Sequence, residues 1–421
     1  MSALPSIPGA PPRWPTIVCL GSAQTLSWAS SYYLPAILAE PIARELGVSV
    51  PFFFVAFSAA LFVSAAVGPG AGRAIDRRGG RPVLALAHVL FAAALCLLAL
   101  ASGPITLMAA WLLMGVAMGS GLYEAAFAAL VRLYGPAARN SITGITLIAG
   151  FASTIGWPLT AAMEAGLGWR GACLGWAALH VLMGLPLTLW LPAASPLSPD
   201  ARTIDLPSAQ ATARETEGPV ARADAPRDAP GDARIGARRG TAVRLSIVFA
   251  VVWFISTAMA THLPAMLQAG GMSLSAAVAV GALIGPAQVA GRLLEFGLLR
   301  HVHPLLSARL AALTHPLGAS LLMLLGPVAA PVFALLHGAG NGIMTIAKGT
   351  LPLALFGPAG YGASLGWMML PARIAQALSP VIFGVLLAQF GASAMWVSAL
   401  LAAVAAGLLL SIRSGDAVAG K

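Results

Sequence analysis

Four ionisable side chains, Glu124, His262, Lys348 and Arg373, lie inside long apolar stretches of this sequence. An ionisable group at the depth of a lipid bilayer costs about 2.5–3.5 kcal/mol on insertion scales, so it usually faces a cavity or a partner. The chemistry open to these groups is recognition of a charged molecule and movement of a proton. We find no nucleophile with a base, and no metal-ligand set, at one depth. The pattern predicts neither an enzyme nor a metal or cofactor site.

Lys348 ends a stripe of polar residues spaced by four, four and three positions, which places them on one face of a helix. The members of the stripe are His337, Asn341, Thr345 and Lys348. We expect this face to line a substrate cavity. The alternative is that the flexible stem of Lys348 carries its ammonium to the nearby membrane surface.

Arg373 lies near the middle of its apolar stretch, where a charge most needs a partner. Gln376, one turn further on the same face, could orient it. The planar guanidinium suits bidentate binding of a carboxylate, which makes Arg373 the leading candidate for an anion site. The structural alternative is a permanent internal ion pair with Glu124.

Glu124 has three possible roles, and the sequence favours none of them. It could be the counter-ion of Lys348 or Arg373, a proton-coupling carboxylate, or a gate residue paired with Arg132. His262 would also suit proton coupling, because imidazole titrates near neutral pH, but a structural hydrogen-bonded histidine is the more common outcome.

Two residues of the first apolar stretch, Gln24 and Tyr33, complete the predicted binding set. Tyr33 could instead belong to the aromatic belt at the membrane surface. The remaining histidines divide into two groups. His88 and His180 are predicted to be packing residues, whereas three histidines lie on or near a loop, where they are weak evidence for a metal: His301, His303 and His315.

The composition shows which elements must position these residues. The chain has 421 residues, 58% of them hydrophobic and 9% charged, whereas soluble domains have about 25% charged residues. A soluble protein is therefore excluded. Apolar runs long enough to span a membrane cover residues 14–38, 52–72, 82–101, 105–131, 141–163, 171–191, 244–268, 275–299, 305–326, 328–354, 361–388 and 392–412.

These runs form two groups of six, which gives the predicted domains. An N-terminal bundle (14–191) and a C-terminal bundle (244–412) lie between tails at 1–13 and 413–421. The segment 192–243 has too few large apolar residues to fold and is predicted to be a disordered linker.

The net charge of +10 is concentrated in loops at one side of the predicted helices, so it does not indicate nucleic-acid binding. Arg44 and Arg170 are the two loop cations on the other side. Because basic loops stay in the cytoplasm, we expect both termini and the linker to be cytoplasmic.

An internal repeat relates the two groups of helices. Leu-Pro-Ala-Ile-Leu at 34–38 matches Leu-Pro-Ala-Met-Leu at 263–267, and Gly-Ser-Gly at 119–121 matches Gly-Asn-Gly at 340–342. Gly-Arg-Ala-Ile-Asp at 72–76 matches Gly-Arg-Leu-Leu-Glu at 291–295. Three matches in the same order predict two homologous halves with a central site between them.

The segment 72–81, Gly-Arg-Ala-Ile-Asp-Arg-Arg-Gly-Gly-Arg, resembles the signature loop of the major facilitator superfamily, except that Gly80 replaces a basic residue. The resemblance implies an all-α membrane protein with 12 transmembrane helices in two pseudo-symmetric six-helix bundles. It also implies a conformational gate that latches the halves together, formed by Gly72, Asp76, Arg77 and Arg81 with the repeat-related Arg292 and Glu295.

Two buried cations against one carboxylate predict a positive cavity. We therefore expect a proton-coupled secondary transporter of a small organic anion, such as a monocarboxylate, that works by alternating access as a monomer in the inner membrane. Its partners would be the substrate, the proton and the lipid bilayer. The alternative is proton-driven efflux of lipophilic or cationic compounds, with Glu124 as the essential acid.

Overall fold

The computed structural model describes residues 13–134, 138–192, 230–298, 302–356 and 361–412, and the regular structure in these ranges is helical. The first half contains α1 (Arg13–Ser30), α2 (Pro35–Glu45), α3 (Val50–Arg78), α4 (Gly80–Ala99), α5 (Pro104–Gly121), α6 (Tyr123–Tyr134), α7 (Ala138–Ala149), α8 (Ala152–Leu179) and, after a π-helical turn, α9 (Leu185–Leu189). The second half contains α10 (Pro230–Ala269), α11 (Leu274–Ala282), α12 (Ile284–Gly297), α13 (Pro304–Leu325), α14 (Ala330–Phe356), α15 (Tyr361–Phe390) and α16 (Ala394–Ser411).

Local signals in the sequence set several helix ends. Ser49 and Ser273 cap α3 and α11, because each hydroxyl accepts a hydrogen bond from a backbone N–H three residues later. Gly168 interrupts α8 with φ +69°, a left-handed conformation that favours glycine. The chain therefore reverses direction at this point.

Eight helical stretches of the described residues are long and apolar enough to cross a membrane. Three of them, Ser141–Leu189, Pro304–Lys348 and Met368–Ser411, have 44 to 49 residues. A single pass needs about 20 residues, and each of the three contains a turn, at Gly168, Gly326–Ala329 or Gly391–Ser393. The predicted all-helical membrane fold is confirmed, while the count of twelve passes stays a prediction.

Close helix packing repeats in the two halves. An ideal Cβ at Gly115 would lie 2.4 Å from the Ala60 carbonyl oxygen, so α5 packs tightly against α3. At Gly342 it would lie 2.3 Å from the Gln288 carbonyl oxygen, which gives α14 the same closeness to α12. Small residues at helix contacts are typical of membrane bundles.

The two halves meet along four helix pairs: α3 with α15, α8 with α11, α8 with α12, and α2 with α10. We call the end of the bundle at Arg78, where α3 finishes, the basic end, and the end at Gly168 the opposite end. Toward the opposite end the halves are in direct contact. The Phe54 and His262 rings lie 4.1 Å apart, and the Tyr32 hydroxyl lies 2.6 Å from that of Thr257. The opposite end is therefore closed.

The boundary of the predicted linker needs a correction. Helix α10 begins at Pro230, well before residue 244, so residues 230–243 are helical rather than disordered. The helix extends past the apolar run because helix formation, once nucleated, adds one hydrogen bond per residue without requiring burial. Residues 193–229, and the predicted tails at 1–12 and 413–421, lie outside the described residues.

Candidate functional site

Lys348 lies inside the molecule and does not extend to the membrane surface. Its ammonium nitrogen is 4.6 Å from the centroid of the Trp253 ring on α10, a cation–π distance. The charges close enough to interact with it belong to Glu124, Arg292 and Arg373. Lys348 is therefore held on an aromatic face and directed toward the junction of the two halves.

Arg373 and Glu124 are both exposed, and the described residues give neither of them an ion pair or a hydrogen bond. The described residues form two ion pairs, Arg44–Glu40 and Arg170–Glu45, and both lie at the opposite end. The permanent Arg373–Glu124 pair that the sequence left open is thus not formed. Both charged groups remain accessible.

Aromatic side chains surround the helix break that precedes Glu124. The Tyr123 ring stacks on Phe127 at 5.3 Å and lies 4.9 Å from the Trp28 ring, which is 5.0 Å from Tyr32. The Trp28 indole nitrogen is buried without a hydrogen-bond partner in the described residues. Half-buried aromatic faces beside accessible charges form a surface for an amphipathic molecule.

Tyr33 borders this surface, and its role in substrate binding stays a prediction. Its side chain is half-buried and its ring lies 5.7 Å from Trp157, whose indole nitrogen donates a hydrogen bond of 3.1 Å to the Tyr33 carbonyl. Arg292 is close enough to interact with the hydroxyls of both Tyr33 and Tyr123. Tyr33 is therefore fixed at the contact between the halves.

The two predicted glutamines have other positions than expected. Gln24 is 1% exposed and donates from its amide nitrogen to the Gly121 carbonyl at 2.7 Å, while its amide oxygen is buried without a partner in the described residues. Gln376 does not orient Arg373, because its amide donates to the Tyr32 hydroxyl at 3.4 Å. Gln24 thus joins two helices of one half, and Gln376 connects the two halves.

His262 is buried at the closed opposite end. Its Nε2 donates to the Pro380 carbonyl at 2.9 Å, because a carbonyl oxygen can only accept. Its ring packs against Phe54 from the other half. These contacts favour the structural alternative, although its role in proton coupling stays a prediction.

The polar stripe of α14 does not face one cavity. His337 and Asn341 line a small cavity inside the C-terminal half, between α10, α13, α14 and α16. Thr345 donates its hydroxyl to the Asn341 carbonyl, and Lys348 alone is directed toward the junction. The expected common face is divided because neighbouring helices cover its two ends differently, which helical spacing does not reveal.

The predicted gate residues fall into two groups. Asp76, Arg77 and Arg81 are exposed at the basic end, and Asp76 and Arg77 form no ion pair with the other half in the described ranges. An ideal Cβ on Gly72 would meet nothing within 4 Å. Among the described residues, Asp76 and Arg77 therefore do not engage the latch implied by the resemblance.

Arg292 and Glu295, the repeat-related gate residues, are 8% and 7% exposed. Arg292 donates from Nη1 to the Thr146 carbonyl, so it connects α12 to α7 across the halves. Its Nε and one Glu295 carboxylate oxygen are buried without partners in the described residues. In this arrangement α7 covers Arg292, and the role of both residues in the gate stays a prediction.

Four histidines form two pairs that the sequence did not predict. His88 and His180 approach at 2.8 Å between their Nδ1 atoms, and His315 and His337 approach at 2.9 Å. His315 was wrongly expected near a loop; it lies buried within α13. The pairs join residues far apart in sequence, so no local spacing could have indicated them.

The arrangement at the junction is suited to an anion. Among the described residues, the charges that act on Lys348 are those of two cations, Arg373 and Arg292, and of one carboxylate, Glu124. Lys348 has Trp253 as a neutral support, while Arg373 keeps its five donors free of any bond to the described residues. Aromatic rings beside these charges provide an apolar contact surface.

Comparison with solved structures reveals the same architecture in known transporters. A bacterial homologue of the human lysosomal transporter Spinster, in an inward-facing and occupied conformation, aligns with a TM-score of 0.67 and 15% identity, covering 96% of this chain and 98% of that one. A mutant of the nucleoside transporter NupG aligns with a TM-score of 0.71 and 12% identity, covering 94% and 99%. At these identities the likeness concerns the fold.

A relative in Thermoproteus tenax, an uncharacterized 38 kDa protein in the 23S RNA operon, is 32% identical over 173 residues, which is 41% of this chain. The matching segment spans 43% of that relative's length. Residues 20–336 match the Major Facilitator Superfamily. On this match, which covers most of the chain and both halves of the fold, the protein belongs to the Major Facilitator Superfamily of membrane transporters.

Proposed function

We propose that this protein is a proton-coupled secondary transporter of a small organic anion, such as a monocarboxylate. It works as a monomer in the inner membrane, with both termini in the cytoplasm. The observation that carries the proposal is the junction of the two halves, where the charges of Arg373, Arg292 and Glu124 act on Lys348 and Arg373 has no bonded partner in the described residues.

In this proposal Arg373 binds the carboxylate of the substrate and Lys348 adds a second positive charge. A guanidinium can present two parallel N–H donors to a carboxylate, and charge-assisted bonds of this kind are about twice as strong as neutral ones. Lys348 contacts the anion from the position it already occupies, because its ammonium is held 4.6 Å from the centroid of the Trp253 ring. The aromatic surface at Trp28 and Tyr123 contacts the apolar part of the substrate.

The contacts between the halves support alternating access from the basic end. The opposite end is closed by Phe54–His262 and Tyr32–Thr257, whereas Asp76 and Arg77 are exposed. With the basic end in the cytoplasm, this arrangement is open to the inside. Closing the basic end would bring the segment 72–81 against the second half, and this movement would engage the predicted latch.

Glu124 is the candidate proton carrier in this proposal. It is exposed, it lies on the N-terminal half, and its charge interacts with Lys348 on the C-terminal half. A substrate carboxylate bound between Lys348 and Arg373 repels an ionised Glu124. Protonation of Glu124 would remove this repulsion, so substrate and proton would favour each other's binding.

The test compares Arg373→Gln and Arg373→Lys with the wild type, using purified protein in liposomes and a panel of lactate, pyruvate and acetate. We expect Gln to abolish counterflow of the transported anion. Lys keeps the charge but loses the bidentate geometry, so it should retain partial activity. Arg44→Gln is the matched control, since Arg44 pairs only with Glu40 on an exposed surface.

Normal counterflow in Arg373→Gln would contradict the proposed site. Failure of the wild type to transport, or to be thermally stabilised by, any of the three anions would contradict the monocarboxylate class. Folding of each variant is checked by its elution from size exclusion and by its melting temperature.

The second candidate is proton-driven efflux of lipophilic cations. The specific observation that favours it is the aromatic group beside Glu124, since Trp and Tyr faces attract cations. In that case Glu124→Gln loses efflux of ethidium while Arg373→Gln retains it. The opposite pattern, with anion counterflow lost in Arg373→Gln, favours the anion.

A further inference from the structure

The two histidine pairs have the same hydrogen-bond order, although they lie on different helices of the two halves. In the N-terminal half the order is Ser30, His180, His88, and in the C-terminal half it is Ser398, His315, His337. In each set a serine hydroxyl contacts the Nε2 of the first histidine, at 2.7 Å and 3.1 Å respectively. The two Nδ1 atoms of each pair then face one another.

The serine bonds assign the protons of the C-terminal pair. Ser398 donates its one hydroxyl hydrogen to the Met395 carbonyl at 2.8 Å, so its oxygen must accept from His315 Nε2–H. In its neutral form, His315 then has an unprotonated Nδ1, which accepts from His337 Nδ1–H at 2.9 Å. The Nε2 of His337 is left as a lone-pair acceptor.

That acceptor belongs to a residue that lines a cavity. The cavity lies between α10, α13, α14 and α16, and its water-accessible volume is about 40 Å³. A volume of about 10–15 Å³ holds one water molecule if polar groups are available. Besides the two histidines, the polar lining residues are Asn341 and Thr314. A few water molecules can therefore reach His337.

We infer that the His315–His337 pair is a proton-binding site of the C-terminal half, with His337 Nε2 as the atom that takes up the proton from cavity water. Uptake breaks no existing hydrogen bond, since His337 keeps its Nδ1–H donor bond to His315. Water supplies the proton and is left as hydroxide, or hydronium supplies it and is left as water. The positive charge remains on one imidazole ring of the pair, and the ring stacks on Phe333 at 5.7 Å.

The charges around the pair explain why proton uptake would depend on conformation. Among the described side chains, the ionisable groups on the helices packed against it are Arg239, Arg244, His262, Arg292, Glu295, Arg309, Lys348 and Arg373. Arg309 donates to carbonyls at the end of α16, His262 to Pro380, and Arg292 to Thr146. Within the described residues, the hydrogen bonds of the two rings go to each other and to Ser398, and none goes to a charged group.

A positive charge on the His315–His337 pair would be stabilised mainly by the cavity water, since burial of a charge without a counter-ion is costly. Any movement of α10 or α16 that changes the hydration of the cavity therefore changes the affinity of His337 for a proton. This is the property that a coupling site requires. The coupling role rests on the proposed function, whereas proton binding itself does not.

The N-terminal pair provides a matched control. His88 is the last residue of the N-terminal hydrogen-bond series, as His337 is of the C-terminal one. Each of the two side chains is 5% exposed. The lining of the cavity that contains His337 includes no residue of the N-terminal half. His88→Gln and His337→Gln therefore remove equivalent imidazoles, but only the second removes the group beside the cavity water.

The first experiment measures ¹⁵N NMR signals of histidine side chains in wild type, His337→Gln and His88→Gln protein in nanodiscs from pH 8 down to about pH 3.5. We expect one imidazole signal that gains a proton in this range in the wild type and in His88→Gln, and that is missing in His337→Gln. The same set of titrating signals in all three proteins would overturn the inference.

The second experiment measures lactate transport in liposomes with and without an imposed pH gradient. We expect gradient-driven uptake by His337→Gln to fall about tenfold or more, while its counterflow is kept. His88→Gln should not show this loss of gradient-driven uptake. Gradient-driven uptake at the wild-type rate would overturn the coupling role. If the wild type itself ignores the gradient while its NMR signal titrates, the proposed function fails and the proton site stands.

Discussion

Gly281 is the position where a single methyl group should change the balance between the two ends of the transporter. An ideal Cβ at this position would lie 2.3 Å from Cζ3 and 2.5 Å from Cε3 of Trp157 on the other half. Carbon atoms in contact are normally about 3.5–4.0 Å apart. In Gly281→Ala, Trp157 and α11 must therefore separate by about 1 Å or more.

The indole of Trp157 cannot easily move away. It is fully buried, its nitrogen donates to the Tyr33 carbonyl at 3.1 Å, and its ring packs against the Tyr33 ring. The strain is relieved most directly by moving α11 away from α8, which opens the opposite end. Overpacking of this kind costs about 1–3 kcal/mol, equivalent to about a 5- to 150-fold shift in a two-state equilibrium.

The assay is a distance measurement by pulsed electron resonance between spin labels at Arg44→Cys and Ser275→Cys, in a background without the native cysteines. Both positions are exposed at the opposite end, one on each half. We expect Gly281→Ala to enlarge the population with the longer distance. This measurement needs no knowledge of the substrate.

Gly115→Ala is the matched control. Its Cβ would lie 2.4 Å from the Ala60 carbonyl oxygen, a clash of similar size, but between two helices of the same half. It should lower the melting temperature and leave the distance distribution unchanged. The reasoning is refuted if Gly281→Ala is folded and has the parental distribution, or if Gly115→Ala enlarges the longer-distance population equally.

Two further predictions concern Lys348 and the end of α16. Trp253→Leu removes the aromatic face 4.6 Å from the Lys348 ammonium, an interaction of about 0.5–2 kcal/mol. We expect the KM of the transported anion to rise several-fold. An unchanged KM would contradict the view that Trp253 holds Lys348 in place for the anion. Arg309→Leu removes the guanidinium that donates to the carbonyls of Leu409 and Ile412, which otherwise lack helical donors. We expect faster amide hydrogen exchange in the last turn of α16, and exchange equal to that of the wild type would be the contrary result.

The sequence was sufficient for the features that depend on composition and on local order along the chain. Apolar runs separated by Gly and Pro indicated a helical membrane protein, and three matched segments indicated its two halves. The segment 72–81 pointed to the family that the comparisons then established. Glu124, Lys348 and Arg373 could be selected as candidate site residues because charges are rare in apolar stretches. Desolvation makes such a group costly unless it faces a cavity or a partner.

The tertiary structure decided which of these groups meet and which neighbours they have. Helical spacing places His337 and Lys348 on one face, yet His337 pairs with His315 inside one half while Lys348 lies on Trp253 at the junction. Arg292 corresponds to the exposed Arg73 in the repeat, yet α7 covers it. The physical reason is that a sequence specifies the period of each helix, whereas the rotation and depth at which helices pack depend on close contacts between residues distant in the chain.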